Sequence, residues 1–155
     1  PVRDYFRAIT LPGHADYIAW QVENNDYAEA YAAVDFLTPS VYYFYTRVPD
    51  GSTVNVTTAT PYWEENLREA RRCRLAYGNV NQPIIPITWW RRHDNTADLD
   101  IDMWDAMCRV CFLAADGLGF FGGSGAWDEF APWWIKLKST MPWGYRPLMK
   151  PRTQI

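Results

Sequence analysis

The chain has 155 residues, with 15 Lys+Arg against 18 Asp+Glu and a formal net charge of −3. That length suits one domain with a real core, and falls short of the roughly 200 to 250 residues of a closed eight-stranded β/α barrel. The mild acidity gives no general pull toward nucleic acid or an anionic membrane, so neither is an expected partner.

In chain order, residues 15–33 read as a helix. Tyr17, Ile18, Trp20, Gln21, Asn24, Tyr27, Ala28 and Tyr31 recur at three and four residues, and Asn24-Asn25-Asp26 is a candidate break. The run from Val34 to Thr46 is β-branched and aromatic almost throughout, as a strand covered on both faces should be. A loop through Thr60 follows, and a second helix is expected from Pro61. Thr60 would cap it, Glu64 and Glu65 would occupy its first turn, and Arg68, Arg71, Arg72 and Arg74 would form a solvated, dipole-matched end before Gly78. Pro83 to Trp90 makes a second buried strand, Arg91 to Asn95 a polar loop, and Asp98 to Leu113 a third helix. Asp116 to Gly123 is a short strand ending in glycines, and Trp127 to Leu137 is an amphipathic fourth helix.

Helices and strands thus alternate, which predicts an α/β protein with a parallel sheet and right-handed crossovers. The domain would span residues 1–139, with an irregular, proline-containing tail over 140–155.

Nine Trp, ten Tyr and seven Phe make the chain 17% aromatic. Large rings fill cores, and the surplus also suits a surface that stacks on sugars. Cys108-Arg109-Val110-Cys111 has the C-x-x-C form but lies in a helix-periodic apolar stretch, which favours buried thiols over a redox pair. With only His14 and His93 beside three cysteines, no zinc site is expected, and no cofactor. Asn55-Val56-Thr57 fits a glycosylation sequon. No apolar run approaches the roughly 18 residues of a membrane span, and the residues after Pro1 lack the pattern of a signal peptide.

Three blocks carry a resemblance. The segments Ala33-Val34-Asp35-Phe36-Leu37-Thr38-Pro39-Ser40-Val41-Tyr42, Gln82-Pro83-Ile84-Ile85-Pro86-Ile87-Thr88 and Ala114-Ala115-Asp116-Gly117-Leu118-Gly119-Phe120-Phe121-Gly122-Gly123 occur in order with a helix in each gap. Over residues 15–125 this resembles the C-terminal half of the hyaluronidase-like (β/α)8-barrel glycoside hydrolases. The resemblance implies a partial, half β/α barrel, and slightly favours a secreted or extracellular protein. It places Tyr42 at the family's substrate-positioning tyrosine and Phe121 where the family usually has tryptophan. Ile87 stands where a pocket tyrosine is common. The family's paired acidic motif would precede Pro1, so the chain alone is expected to be an incomplete catalyst.

In a β/α barrel, the active face is formed by the C-terminal ends of the strands. That rule selects Tyr42, Tyr43, Tyr45, Trp89, Trp90, Arg91 and Phe121 as residues binding a polysaccharide or oligosaccharide, and His93 and Asp94 as the candidate proton-transfer pair. Asp94 beside Arg91 and Arg92 also fits a surface ion pair, and Asp35 and Asp116, at the opposite ends of their strands, are excluded from the site. A half barrel has open sheet edges, so pairing with a second copy or with a missing N-terminal half is expected. The competing expectation is a non-catalytic assembly protein whose Trp127, Trp133, Trp134 and Trp143 lie between subunits. A nucleotide-binding doubly wound domain is disfavoured by the missing glycine fingerprint.

Overall fold

A computed structural model describes residues 12–42, 47, 52–91, 98–120 and 128–140. Five helices and two short strands alternate along the chain: α1 (Ala15–Asn25), α2 (Ala28–Ala33), α3 (Val56–Tyr77), β1 (Ile87–Thr88), α4 (Ile101–Ala114), β2 (Gly119–Phe120) and α5 (Pro132–Thr140).

The sheet is parallel. β1 pairs with β2 through Ile87 with Gly119 and Thr88 with Phe120, and residues 37–41 lie along the other side of β1 through parallel bridges at Leu37–Ile84 and Ser40–Ile87. The order first, second, third therefore follows the chain, as helix-connected parallel strands require. The ladders are much shorter than the hydrophobic runs suggest, and proline is the reason. The N–H groups of Leu37 and Val41 turn toward the second segment, donating to the carbonyls of Pro83 and Ile87, and Pro39 has no N–H to add between them. Pro86 likewise cannot donate toward β2, although its carbonyl accepts from Gly119 N–H at 2.8 Å. Asp116 replaces part of the lost ladder. Its main-chain N–H donates to the Ile84 carbonyl, and its side chain accepts from Ile84 N–H, each at 2.9 Å.

The helices differ from the sequence expectation in three places. The first expected helix is two, because Asn24, Asn25 and Asp26 favour turn conformations and the chain tightens there through Asp26 N–H to Glu23 and Tyr27 N–H to Asn24. The second begins five residues before Pro61. Asn55, not Thr60, is its cap: Asn55 Oδ1 accepts from Thr58 N–H at 3.1 Å while Thr58 Oγ1 accepts from Asn55 N–H at 2.9 Å, a reciprocal capping box. Glu65 consequently sits in the third turn, buried, rather than in the first. The fourth runs from Pro132 through Thr140, so the amphipathic stretch starts later than Trp127 and enters the segment read as tail; residues 141–155 lie outside the described residues.

α3 is the central helix. Ala59, Tyr62, Trp63 and Leu67 join Trp20, Val41 and Ile84 in the core, together with Met103, Trp104, Met107, Cys108 and Cys111 of α4 and Leu137 of α5. Its second buried face is polar. Glu65 accepts from Tyr17 Oη at 2.7 Å, and Glu69, only 2% exposed, accepts from Gln21 and Asn24 at 3.0 Å each and from Arg72 through both Nε and Nη2. Burial alone would push the Glu69 pKa up; the hydrogen bonds from Arg72, Gln21 and Asn24 outweigh it and hold the carboxyl below the usual glutamate value. The arginines of α3 are tied as well as solvated: the exposed Arg68 meets Glu65 and the exposed Arg71 donates to the Ala114 carbonyl, while the half-buried Arg72 clamps Glu69 and Arg74 reaches Asp116 and the Gln82 carbonyl. All three cysteines are free and buried, and burial pushes the Cys111 thiol up to about 12. Among the described residues, no helix is long and apolar enough to cross a membrane.

Two stability outcomes follow from these helices. Replacing Asn55 by Ala removes the side-chain acceptor of the capping box, leaving the main-chain N–H bond to Thr58 Oγ1, and lowers unfolding free energy by about 1 kcal/mol in urea titration, with Asn55→Gly nearer to wild type. Glu69→Gln lowers stability at pH 7 by about 2 kcal/mol, since Arg72 loses its charged acceptor. Because the folded pKa of Glu69 lies below its unfolded value near 4.5, its contribution is full above that pH and fades as pH falls through the folded value. The urea midpoint gap between wild type and Glu69→Gln therefore narrows on going from pH 7 to pH 3.

Candidate functional site

The three parallel segments end on the same side of the sheet, because parallel strands share a direction. Tyr42 follows the first segment, Trp89, Trp90 and Arg91 follow the second, and Phe120 closes the third. Tyr42, Trp89 and Trp90 are half-buried, while Arg91 and Phe120 are exposed. Tyr43, Tyr45, His93, Asp94 and Phe121 lie outside the described residues, as do Arg92 and Trp127.

The chain leaves β1 through Trp90 and comes back beside itself at Asp98. Leu99 N–H donates to the Trp90 carbonyl at 2.8 Å, Arg91 and Asp98 form an antiparallel bridge, and Arg91 Nε meets Asp98 Oδ1 at 3.3 Å. Among the described residues, Asp98 is the carboxylate set against Arg91. Both side chains are about half exposed, so the pair orients Arg91 and adds little stability. Two residues on, Asp100 caps α4 by accepting from Asp102 N–H at 2.9 Å, which fixes where the loop ends.

Behind these residues stands an aromatic cluster. Trp90 stacks on Trp133 with ring centroids 4.3 Å apart and planes 10° apart. Trp104 meets Trp133 edge-on at 5.9 Å and donates its indole N–H to the Trp133 carbonyl at 2.9 Å. Phe120 and Trp134 flank Trp133 at 6.5 and 5.8 Å. One face of Trp90 is therefore spent inside the molecule, and Trp133, 8% exposed, belongs to the core of this chain rather than to a contact between subunits. The sequence reading found Trp90 but missed Trp104 and Phe120, which meet the same Trp133 ring. The signal was available in spacing: Trp104 opens the apolar face of α4 and Trp133 that of α5.

Charge at the back of the cluster is neutralised. Asp105 of α4 is pushed up by burial but more strongly held down by hydrogen bonds from Thr140 and Arg109 and by Lys136, so its carboxyl stays below the usual aspartate value and ties α4 to α5. Among the described residues, no group of three or more His, Cys, Asp or Glu could hold a metal ion.

The arrangement has a counterpart in solved structures. Bee venom hyaluronidase matches with a TM-score of 0.59 at 20% identity over 79% of this chain. The fold is hyaluronidase-like. The bee venom enzyme solved in complex with a hyaluronic acid tetramer matches with a TM-score of 0.58 at 22% identity over 69% of the chain. The chain spans 36% and 32% of those two proteins, so the hyaluronidase-like fold is shared over about a third of their length. No family model and no curated protein matches the sequence.

The cluster makes a separable prediction for the hyaluronidase-like core. Trp133→Ala removes the ring on which Trp90, Trp104 and Phe120 converge and lowers stability by about 3 to 5 kcal/mol, with loss of near-UV circular dichroism. Trp134→Ala, at the half-buried neighbour, lowers it by less than half as much in the same denaturation series.

Proposed function

We propose that the chain is the second half of a hyaluronidase-like β/α barrel, and that the C-terminal ends of its strands bind a polysaccharide of the hyaluronan type. Carrying this reading is the position of Tyr42 after the first, and of Trp89, Trp90 and Arg91 after the second, of three parallel segments in a fold that matches a hyaluronidase. Support for the substrate class comes from the neighbour solved with a hyaluronic acid tetramer. Half-buried indole and phenol rings offer faces to the C–H surfaces of sugar rings, and Arg91 offers a planar cation to a sugar carboxylate. By sequence position alone, Tyr43, Tyr45 and Phe121 are proposed as further sugar-binding residues and His93 and Asp94 as proton-transfer groups.

Hydrolysis is a different matter. Glycosidic cleavage needs a general acid with a raised pKa and a second carboxylate, or a substrate acetamido group, across the bond. Asp98, the carboxylate described at this end, is already engaged by Arg91 at 3.3 Å. On this reading the described residues bind without cleaving, and the paired carboxylate chemistry belongs to the other half of the barrel. The edge of the first segment favours that completion. The backbone groups of residues 37, 39 and 41 turn to β1, so those of 36, 38 and 40 turn the other way; among the described residues, only the Ser40 carbonyl finds a partner there, Tyr62 Oη at 3.3 Å.

Titration of the chain with hyaluronan oligosaccharides, followed by tryptophan fluorescence and by a reducing-end assay, tests the reading. A saturable spectral change that weakens in Trp89→Ala and Arg91→Ala, with no new reducing ends, is the expected result. A flat titration at millimolar oligosaccharide sinks it. A flat titration together with concentration-dependent self-association in sedimentation would favour the assembly protein instead, a reading supported by the exposed Ile18, Val22, Val34 and Phe36.

A further inference from the structure

A cavity of about 330 Å³ opens between α2, α3 and residues 36–40, formed by different residues from the strand ends. One wall is a helical stripe of α3, Asn66, Glu69, Ala70 and Cys73, and Tyr27 and Tyr31 stand opposite it. Asn66 is fully buried. Its Nδ2 donates to the Tyr62 carbonyl at 2.7 Å, an acceptor that fixes which way the amide faces and leaves Oδ1 without a partner. Ser40 lines the same space, and its buried Oγ is also unpartnered. Two unmet polar atoms at one apolar hole are more than packing requires, because buried polar groups are almost always satisfied.

We propose that this cavity is a binding site for a small neutral aromatic molecule carrying a hydrogen-bond donor, such as a phenol or an indole. The donor requirement comes from Asn66 Oδ1, which can only accept, with Ser40 Oγ able to take a second bond in either sense. Neutrality comes from Glu69. Its carboxylate stands on the wall and repels an anion, yet it is already matched by Arg72, so no second cation is called for. The rest of the lining is uncharged: burial raises the Tyr31 phenol, and pushes the Cys73 thiol up to about 11, so both stay protonated at neutral pH. The ring requirement comes from size and lining. An apolar cavity of about 150 Å³ already holds benzene, and this one has twice the volume with Tyr27, Tyr31 and Phe36 beside it.

Saturation-transfer NMR on the whole chain, with phenol, indole, toluene and benzoate as probes, tests the site. Phenol and indole bind, toluene binds about tenfold more weakly for want of the donor, and benzoate gives no transfer. Asn66→Leu keeps the shape and removes the acceptor, so it brings phenol down to the level of toluene and leaves toluene unchanged. Should that variant fail to fold, Ala30→Trp fills the cavity from the exposed side of α2 and abolishes transfer to all three neutral or donor-bearing rings. The proposal is overturned by no transfer to phenol or indole at millimolar concentration, by equal binding of phenol and toluene to the wild-type chain, or by binding that survives Ala30→Trp.

Discussion

A parallel sheet cannot turn back on itself, so every strand must be reached through a covering layer, and here that layer holds the sheet rather than resting on it. Pro39 and Pro86 each delete a donor from an interior ladder, leaving two regular pairs between β1 and β2 and isolated bridges beyond them. What keeps the three segments side by side is the apolar mass of α3 and α4 above them, with Val41, Ile84, Trp63 and Met107 all buried in one cluster. The few main-chain bonds set register, and Asp116 reinforces that register where the third segment begins by gripping Ile84.

The same dependence explains the polar face of α3. A helix buried on most of its circumference would ordinarily be apolar all round. α3 instead turns Glu65 and Glu69 toward α1, and the hydrogen bonds from Tyr17, Gln21 and Asn24 give that short helix a fixed seat. A network of directed bonds specifies one placement where greasy contact would permit several. α2, with no buried residue of its own, is tied separately through the Tyr31 carbonyl, which accepts from Gln82 Nε2 at 2.9 Å.

Much of this was legible from residues alone. Periodicity located the described helices, though it merged the first two, the apolar runs located the three segments in their right order, and the block resemblance pointed to the fold that the bee venom enzyme shares. The boundaries were misjudged where two local signals compete. Pro61 is a good first helical residue, but Asn55 with Thr58 is a stronger start, and the helix absorbs the proline in its interior. The strands were read too long because β-branched content reports burial, whereas ladder length depends on donors that Pro39 and Pro86 remove. The wetted face read for the α3 arginines holds for Arg68 and Arg71; that Arg71 and Arg74 also reach Ala114 and Asp116 was not visible, because those partners lie about forty residues along the chain. At the candidate site, Trp90 and Arg91 were visible from their position after a strand; that Trp90 leans on Trp133 was not, because the contact joins residues far apart in the chain.

Cys108 and Cys111 lie on the innermost side of α4, with no exposed surface, and burial raises both thiols well above the usual range. Such sulfurs are closed to alkylating reagents as long as α4 stays on the core, since the attacking species is an accessible thiolate. Their labelling is consequently gated by the opening of the structure, and the chain carries a built-in clock for the rate at which its central layer comes apart.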